Sequence, residues 1–388
     1  RMYAPEDFGL LNLFLSIGNV VLVISLADYY YSIVLPKEDN DAAALAHVSL
    51  VSLIVTVLLL TVSILFAHPI SALFKSPKLE TYYWLLPIYV FFMGGWNILN
   101  YWYIRQKQFG RISGYQISQS VLSATGKLGF GYANVLSAGM IYSVVIAPVI
   151  SLISSLLIVR KKYLLPLLSF SWKDVRLQSC KYKNFPMFVL PRSFINVLAG
   201  QLPVLLLTPF FGAKFVGLMS MAVLLGYTPI NTISRAIYQV LYQNTTQRVH
   251  ARLPIGGIYW RFIGYTTLFI LPLFGVLAYV LPDLTAWLLG AEWRVAGDYI
   301  RWMLPWLYVS LLSCSINYLF DVFMKQKMGL MFEVLLALFR VVGLMIGVWR
   351  SDFVLAIALY SMGTAVALVI QIIWMLKQVR QYDWSIAA

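Results

Sequence analysis

Charge is scarce in this sequence, and acidic charge is scarcest. Asp, Glu, Lys and Arg make up only 11% of the 388 residues, less than half the roughly 25% of an average soluble domain. A water-soluble fold of this size would have too little polar surface to cover itself. Cysteine and histidine are also sparse: Cys180 and Cys314, with His47, His68 and His250, fall in no redox or metal-ligand spacing. Neither a disulfide framework nor a metal site nor a cofactor is expected. No GxxxxGK phosphate loop is present, so direct nucleotide-driven pumping has no support. Asp39-Asn40-Asp41 has a DxD form, but it lies in a short polar stretch where turn residues are expected and offers too few ligands to hold a metal.

What is abundant is apolar length. Hydrophobic residues reach 61%, and eleven apolar segments can be traced. They run roughly over residues 8–34, 43–67, 81–104, 113–133, 139–159, 184–211, 215–241, 257–281, 299–323, 328–348 and 353–376. A spanning helix needs about 20 apolar residues. The pattern predicts an all-α polytopic membrane protein with eleven spans in this chain.

The net charge of +14 has a topological explanation. Counted over alternate loops, one set holds seventeen Lys and Arg: Lys37, Arg105, Lys107, Arg111, Arg160, Lys161, Lys162, Lys173, Arg176, Lys181, Lys183, Arg248, Arg252, Lys325, Lys327, Lys377 and Arg380. The other holds Arg1, Lys75, Lys78, Lys214, Arg294 and Arg350. The positive-inside rule makes the first set cytoplasmic. Nucleic acid is therefore not an expected partner.

The two halves echo each other. Leu86-Pro87, Asn100-Tyr101 and Arg105-Gln106-Lys107 recur as Leu304-Pro305, Asn317-Tyr318 and Lys325-Gln326-Lys327, and Phe8-Gly9-Leu10 anticipates Val216-Gly217-Leu218. Internal repeats place a transporter's site between its halves. The expected architecture is two pseudo-symmetric helix bundles around a central cavity. Residues 1–160 form the first bundle, 161–183 a cytoplasmic amphipathic linker and 184–388 a six-helix second bundle. In this register the first bundle has five helices, which predicts a twelfth ahead of Arg1.

Charges inside spans are costly and mark function by default. At about 1.5 Å per residue, Arg192 and Arg340 come out near the midplane, Lys127 and Arg235 at intermediate depth, and Arg261 and Arg301 near helix ends, where snorkelling accounts for them. Polar stripes accompany these cations on helical wheels: Gln116, Gln119, Ser120, Ser123 and Lys127; Arg192, Ser193, Asn196 and Gly200; Thr228, Asn231, Arg235 and Gln239. Ser310, Ser313, Asn317 and Asp321 make a fourth. Interhelical hydrogen bonding explains single Ser and Asn residues, but not several unpaired cations. The candidate substrate-binding residues are thus Arg192, Arg340, Lys127, Arg235, Asn196, Asn231 and Gln119. Three acids are candidates for coupling or charge modulation. Glu333 lies two turns from Arg340 on one face, Asp321 one turn before Lys325, and Asp28 beside Tyr29-Tyr30-Tyr31, where an aromatic belt is the competing explanation. A net cationic cavity suits an anionic ligand such as a diphosphate, because arginine forks match phosphate oxygens.

Several stretches carry a family resemblance: Tyr3-Ala4-Pro5-Glu6-Asp7-Phe8-Gly9-Leu10, the Ile33-Val34-Leu35-Pro36 exit, the Asn184-Phe185-Pro186 entry with Pro191, Asn196 and Pro203, and Gly290-Ala291-Glu292-Trp293-Arg294 with Ala296-Gly297. Together they resemble the polysaccharide-biosynthesis flippases, the O-antigen, capsule or exopolysaccharide repeat-unit exporters of the multidrug/oligosaccharidyl-lipid/polysaccharide superfamily. The resemblance implies twelve helices in two six-helix bundles and residence in the bacterial inner membrane. It also implies transfer of an undecaprenyl-diphosphate-linked oligosaccharide from the cytoplasmic to the periplasmic leaflet by alternating access, not enzymatic turnover. The implied partners are that glycan lipid, the bilayer and other polysaccharide-assembly membrane proteins. Lys127, Arg192, Arg235 and Arg340 would be the cavity cations, while Asp28 stands where relatives carry a basic or polar residue. A drug or metabolite exporter of the same superfamily would more often use cavity acids, an O-antigen polymerase would have a large periplasmic loop, and a membrane scaffold would not need the buried charges.

Overall fold

The structure is a computed structural model that describes residues 2–133, 135–158, 167 and 169–387. Among the described residues there is no strand, as expected where backbone groups must be satisfied within a segment. A helix occupies each of the eleven apolar segments: α1 (Pro5–Ser25), α2 (Asp39–Val62), α3 (Leu85–Arg105), α4 (Phe109–Tyr132) and α5 (Leu136–Ile158), then, after the linker helix α6 (Trp172–Lys181), α7 (Leu190–Phe211), α8 (Ala213–His250), α9 (Gly256–Leu289), α10 (Arg294–Ile316), α11 (Gln326–Trp349) and α12 (Phe353–Ala387).

The helix starts follow local chemistry. In α1, Pro5 takes the first-turn position where its missing N–H costs nothing, and the Asp7 carboxylate accepts from the Ala4 amide at 3.0 Å. Ser137 Oγ donates to the other Asp7 oxygen, so the cap also ties α1 to α5. Nine described helices are long and apolar enough to cross a membrane. α3 and α4 are not among them, so the expected count of eleven apolar spans is not confirmed. α4 carries Gln116, Gln119, Ser120, Ser123 and Lys127 within 24 residues, and α3 spends its length on Trp and Tyr side chains and two Asn.

The chain divides into two compact units, residues 2–216 and 217–388. The division falls later than position 184, where the second bundle was expected to begin. The cause is local: α7 packs along α1, with Ser16 Oγ donating to Gln201 Oε1 at 2.7 Å. In the first unit α1, α2, α3 and α5 share a core around Phe14, Leu53, Trp102 and Tyr103. In the second, α10 is the most enclosed helix and packs against α9 and α12. Of the basic linker residues, Arg160, Lys161 and Lys162 lie outside the described residues.

Candidate functional site

The second unit builds its site from a close helix pair. Gly343 and Gly347 form a GxxxG step on α11, and a Cβ at either would meet α12, 2.7 Å from the Leu359 carbonyl carbon or 2.3 Å from Ala356 Cα. Small residues at this spacing let two backbones approach in a membrane. Arg340, one turn earlier, is thereby brought against α12. Its Nε donates to Thr364 Oγ1 at 3.4 Å, and its guanidinium carbon stands 5.5 Å from the Tyr360 ring centroid.

Beyond Tyr360 the aromatic faces continue. Tyr360 meets Trp306 of α10 edge-on at 5.6 Å, and Trp306 stacks on Tyr227 of α8 at 5.3 Å and 14°. The Tyr227 hydroxyl lies within electrostatic reach of Cys314 and of both Arg340 and Arg235. Two of the predicted cations therefore share one neighbourhood. Among the described residues no ion pair reaches either of them. A guanidinium held on an aromatic face without an acid keeps donors free for an anion. Tyr227, Trp306 and Tyr360 were missing from the sequence-based set. Their signal was faint, because one aromatic on each of three separate helices reads as apolar content.

The acids and stripes of this unit settle differently. Glu333 is exposed and forms no direct ion pair with Arg340, which reaches across to α12 instead. Asp321 is exposed near Tyr238, with no ion pair to Lys325. Asn231 is half-buried on the α8 stripe, and Arg235 is exposed. The fourth stripe corrects the expectation of a water-facing row. Ser310 and Ser313 are buried in packing, and Asn317 Oδ1 accepts from Gln371 Nε2 of α12 at 3.0 Å.

In the first unit the cations stand apart. Lys127 is half-buried on α4, its backbone carbonyl accepting from the Tyr3 hydroxyl, and no acid pairs with its ammonium among the described residues. Gln119 Nε2 points at Met93 Sδ, 3.4 Å away. Arg192 and Asn196 are exposed on α7. Ser193, next to Arg192, hydrogen-bonds with Asp28.

Asp28 is the unusual group here. It follows α1 in the left-handed region, φ 53°, and is only 1% exposed, with Oδ2 buried and lacking any partner. Burial pushes its carboxyl above the ordinary range, opposed by the Ser193 hydrogen bond. Tyr30 and Tyr31 pack on each other and edge-on against Tyr101, 5.1 and 5.2 Å away. The tyrosines expected as an interfacial belt are half-buried and pack on one another beside this carboxyl. Asp39, of the DxD stretch, accepts from Arg105 Nε at 2.9 Å, while the same guanidinium donates to the Pro36 and Lys37 carbonyls. It works as a loop clasp.

Arg261 lies exposed in the first turns of α9, and Arg301 is held by Asp298 at 3.1 Å and by the Ala278 and Tyr279 carbonyls.

The sequence matches the family described as "Polysaccharide biosynthesis protein" over residues 1–298. No match is found among curated proteins. Among solved structures, the chain is similar to an inward-facing multidrug resistance MATE family transporter of the MOP superfamily, at 16% identity and TM-score 0.74, covering 98% of this chain and 92% of that one. A MATE protein in a bent conformation gives TM-score 0.53 at 16% identity, covering 99% and 90%. The chain therefore belongs to the polysaccharide biosynthesis protein family and is a multi-pass membrane protein with the fold seen in those MATE structures.

Proposed function

We propose that the protein moves an undecaprenyl-diphosphate-linked oligosaccharide from the cytoplasmic to the periplasmic leaflet of a bacterial inner membrane by alternating access. The observation that carries this reading is Arg340, free of any ion pair among the described residues, held over the Tyr360 ring of the Tyr360–Trp306–Tyr227 aromatic row, with Arg235 within electrostatic reach of Tyr227. Guanidiniums supply charge-assisted hydrogen bonds to diphosphate oxygens, and aromatic faces offer flat apolar platforms for sugar rings. Family membership supports a glycan cargo. Lys127, Arg192, Asn196, Asn231 and Gln119 serve as further polar contacts along the path, and the buried Asp28 with the exposed Glu333 and Asp321 modulate its charge.

Cys314 provides a test independent of turnover, since it touches Tyr227 at the edge of the arginine site. In a Cys180→Ser background it is the sole thiol. A defined lipid-linked oligosaccharide diphosphate should slow its modification by a thiol reagent, and the same glycan on a neutral lipid should not. Equal rates with and without the diphosphate lipid would remove this site from the pathway.

A further inference from the structure

The linker helix α6 has two faces with different fates. Val175 and Gln178 are buried against α2. At 100° per residue, Trp172, Lys173, Arg176, Leu177 and Cys180 fall within an arc of about 140° on the opposite side. Those five residues line an open groove of ≈ 600 Å³. Trp172 and Leu177 are 66% and 60% exposed, large values for side chains of that size.

The helix is also firmly seated. Ser171 Oγ caps it by accepting from the Asp174 amide at 3.4 Å, and Tyr29 OH donates to the Ser179 carbonyl at 3.1 Å. Ahead of it, His47 of α2 hydrogen-bonds the Leu167 carbonyl at 2.9 Å and packs edge-on to Phe170, which in turn packs on Trp172. These contacts hold the outer face in one orientation. Its charge is unbalanced: residues 170–184 carry Lys173, Arg176, Lys181 and Lys183 against Asp174 alone. Neither Lys173 nor Arg176 joins an ion pair among the described residues.

From this geometry we infer that the outer face of α6 is a seat for anionic phospholipid headgroups of the cytoplasmic leaflet. Lys173 and Arg176 meet the phosphates, while Trp172 and Leu177 enter the headgroup boundary, as interfacial helices do. The inference rests on the cytoplasmic placement of the linker, not on the nature of the cargo. Each basic residue near an anionic leaflet contributes roughly a fivefold gain in affinity for that surface, screened by salt.

The test uses Cys314→Ser, which leaves Cys180 as the only thiol, beside the groove. Labelled there with an environment-sensitive fluorophore, the protein is placed in vesicles of phosphatidylglycerol and phosphatidylcholine in equal amounts. Brominated phosphatidylglycerol should quench the label severalfold more than brominated phosphatidylcholine, and salt at about 0.5 M should shrink the difference. Lys173→Gln with Arg176→Gln should abolish it, whereas Lys377→Gln, an exposed basic residue of α12, should leave it intact. A melting temperature that rises with phosphatidylglycerol in the unlabelled protein, and not in the double variant, gives a second readout. Equal quenching by both lipids, or a preference that survives the double substitution, overturns the proposal. Labelling of Cys180 only from the periplasmic side would overturn it through the topology instead, with the cargo reading still open to the Cys314 experiment.

Discussion

Asn100-Tyr101 and Asn317-Tyr318 occupy corresponding places in the internal repeat, yet the two units use them differently. In the second unit the pair is closed: Tyr318 OH joins Thr245 Oγ1 and Tyr259 OH at 2.9 and 2.8 Å, Thr245 and Tyr259 bond each other at 2.6 Å, and Asn317 accepts from Gln371. In the first unit it is unfinished: Asn100 Oδ1 is buried without a partner, and Tyr101 lies among tyrosines next to the half-satisfied Asp28. The units also differ in their cations. Arg340 of α11 and Arg235 of α8 both lie within electrostatic reach of Tyr227, while Lys127 is half-buried on α4 and Arg192 exposed on α7. One copy is thus a closed hub of neutral hydroxyls and amides, in a unit where Arg340 and Arg235 both lie within electrostatic reach of Tyr227. The other keeps a titratable group and unspent hydrogen-bonding capacity.

The largest effect should come from emptying the second unit's site. Arg340→Gln removes a charge-assisted contact of roughly 1.5–3 kcal/mol, so transport at limiting substrate should fall roughly tenfold to a hundredfold at matched protein level. Arg340→Lys should recover part of it, because a point charge remains without the fork. Next comes the frame: Gly347→Leu drives a side chain into α12 and should cost about 3 kcal/mol, seen as a lower melting temperature in detergent. Gly200→Ala on α7 of the first unit meets nothing within 4 Å and should be nearly silent.

Smaller effects sharpen the contrast between the hubs. Tyr318→Phe leaves buried Thr245 and Tyr259 short of a partner and should cost about 1–3 kcal/mol, whereas Tyr101→Phe, whose ring contacts survive, should change the melting temperature little. Asp28→Asn mimics the protonated carboxyl. Because burial raises the folded-state pKa, the folded protein holds a proton more tightly than the unfolded chain, and wild-type stability falls as pH rises above the ordinary carboxylate range. The Asn variant should therefore melt higher than wild type at pH 8, with the gap closing as pH is lowered. A gap that widens on acidification would show Asp28 to be ionised in the fold. Smallest of all, Glu333→Gln should weaken transport less than Arg340→Ala, since Glu333 is exposed and unpaired with that arginine.

Much of this was legible along the chain. Every apolar segment became a helix, because the bilayer forces that pattern, whereas depth along the segment did not set exposure: Arg192 and Arg235 are exposed, and Lys127 and Arg340 half-buried. What escaped depended on partners distant in sequence. Spacing put Glu333 and Arg340 on one helix face, but the glycine step turned Arg340 toward Tyr360 and Thr364. That Gly343-x-x-x-Gly347 signal stands in the sequence and was readable. The transfer of α7 to the first unit was not, because Ser16 and Gln201 lie in segments whose apolar content says nothing about which neighbour they choose. Likewise, Ser310 and Ser313 share the wheel pattern of a cavity lining and are packing residues, since periodicity marks a face without naming what covers it.

The most direct test of the paired-arginine account is leaflet-resolved transport of a defined undecaprenyl-diphosphate oligosaccharide in proteoliposomes. Wild type, Arg340→Gln, Arg235→Gln and Arg261→Gln would be compared at equal reconstituted amounts. The account predicts sharp loss for the Arg340 and Arg235 variants and near-normal transport for Arg261, which lies at a helix end. Wild-type rates in both Arg340→Gln and Arg235→Gln would contradict it, leaving a membrane protein of this family whose cargo is bound by other means.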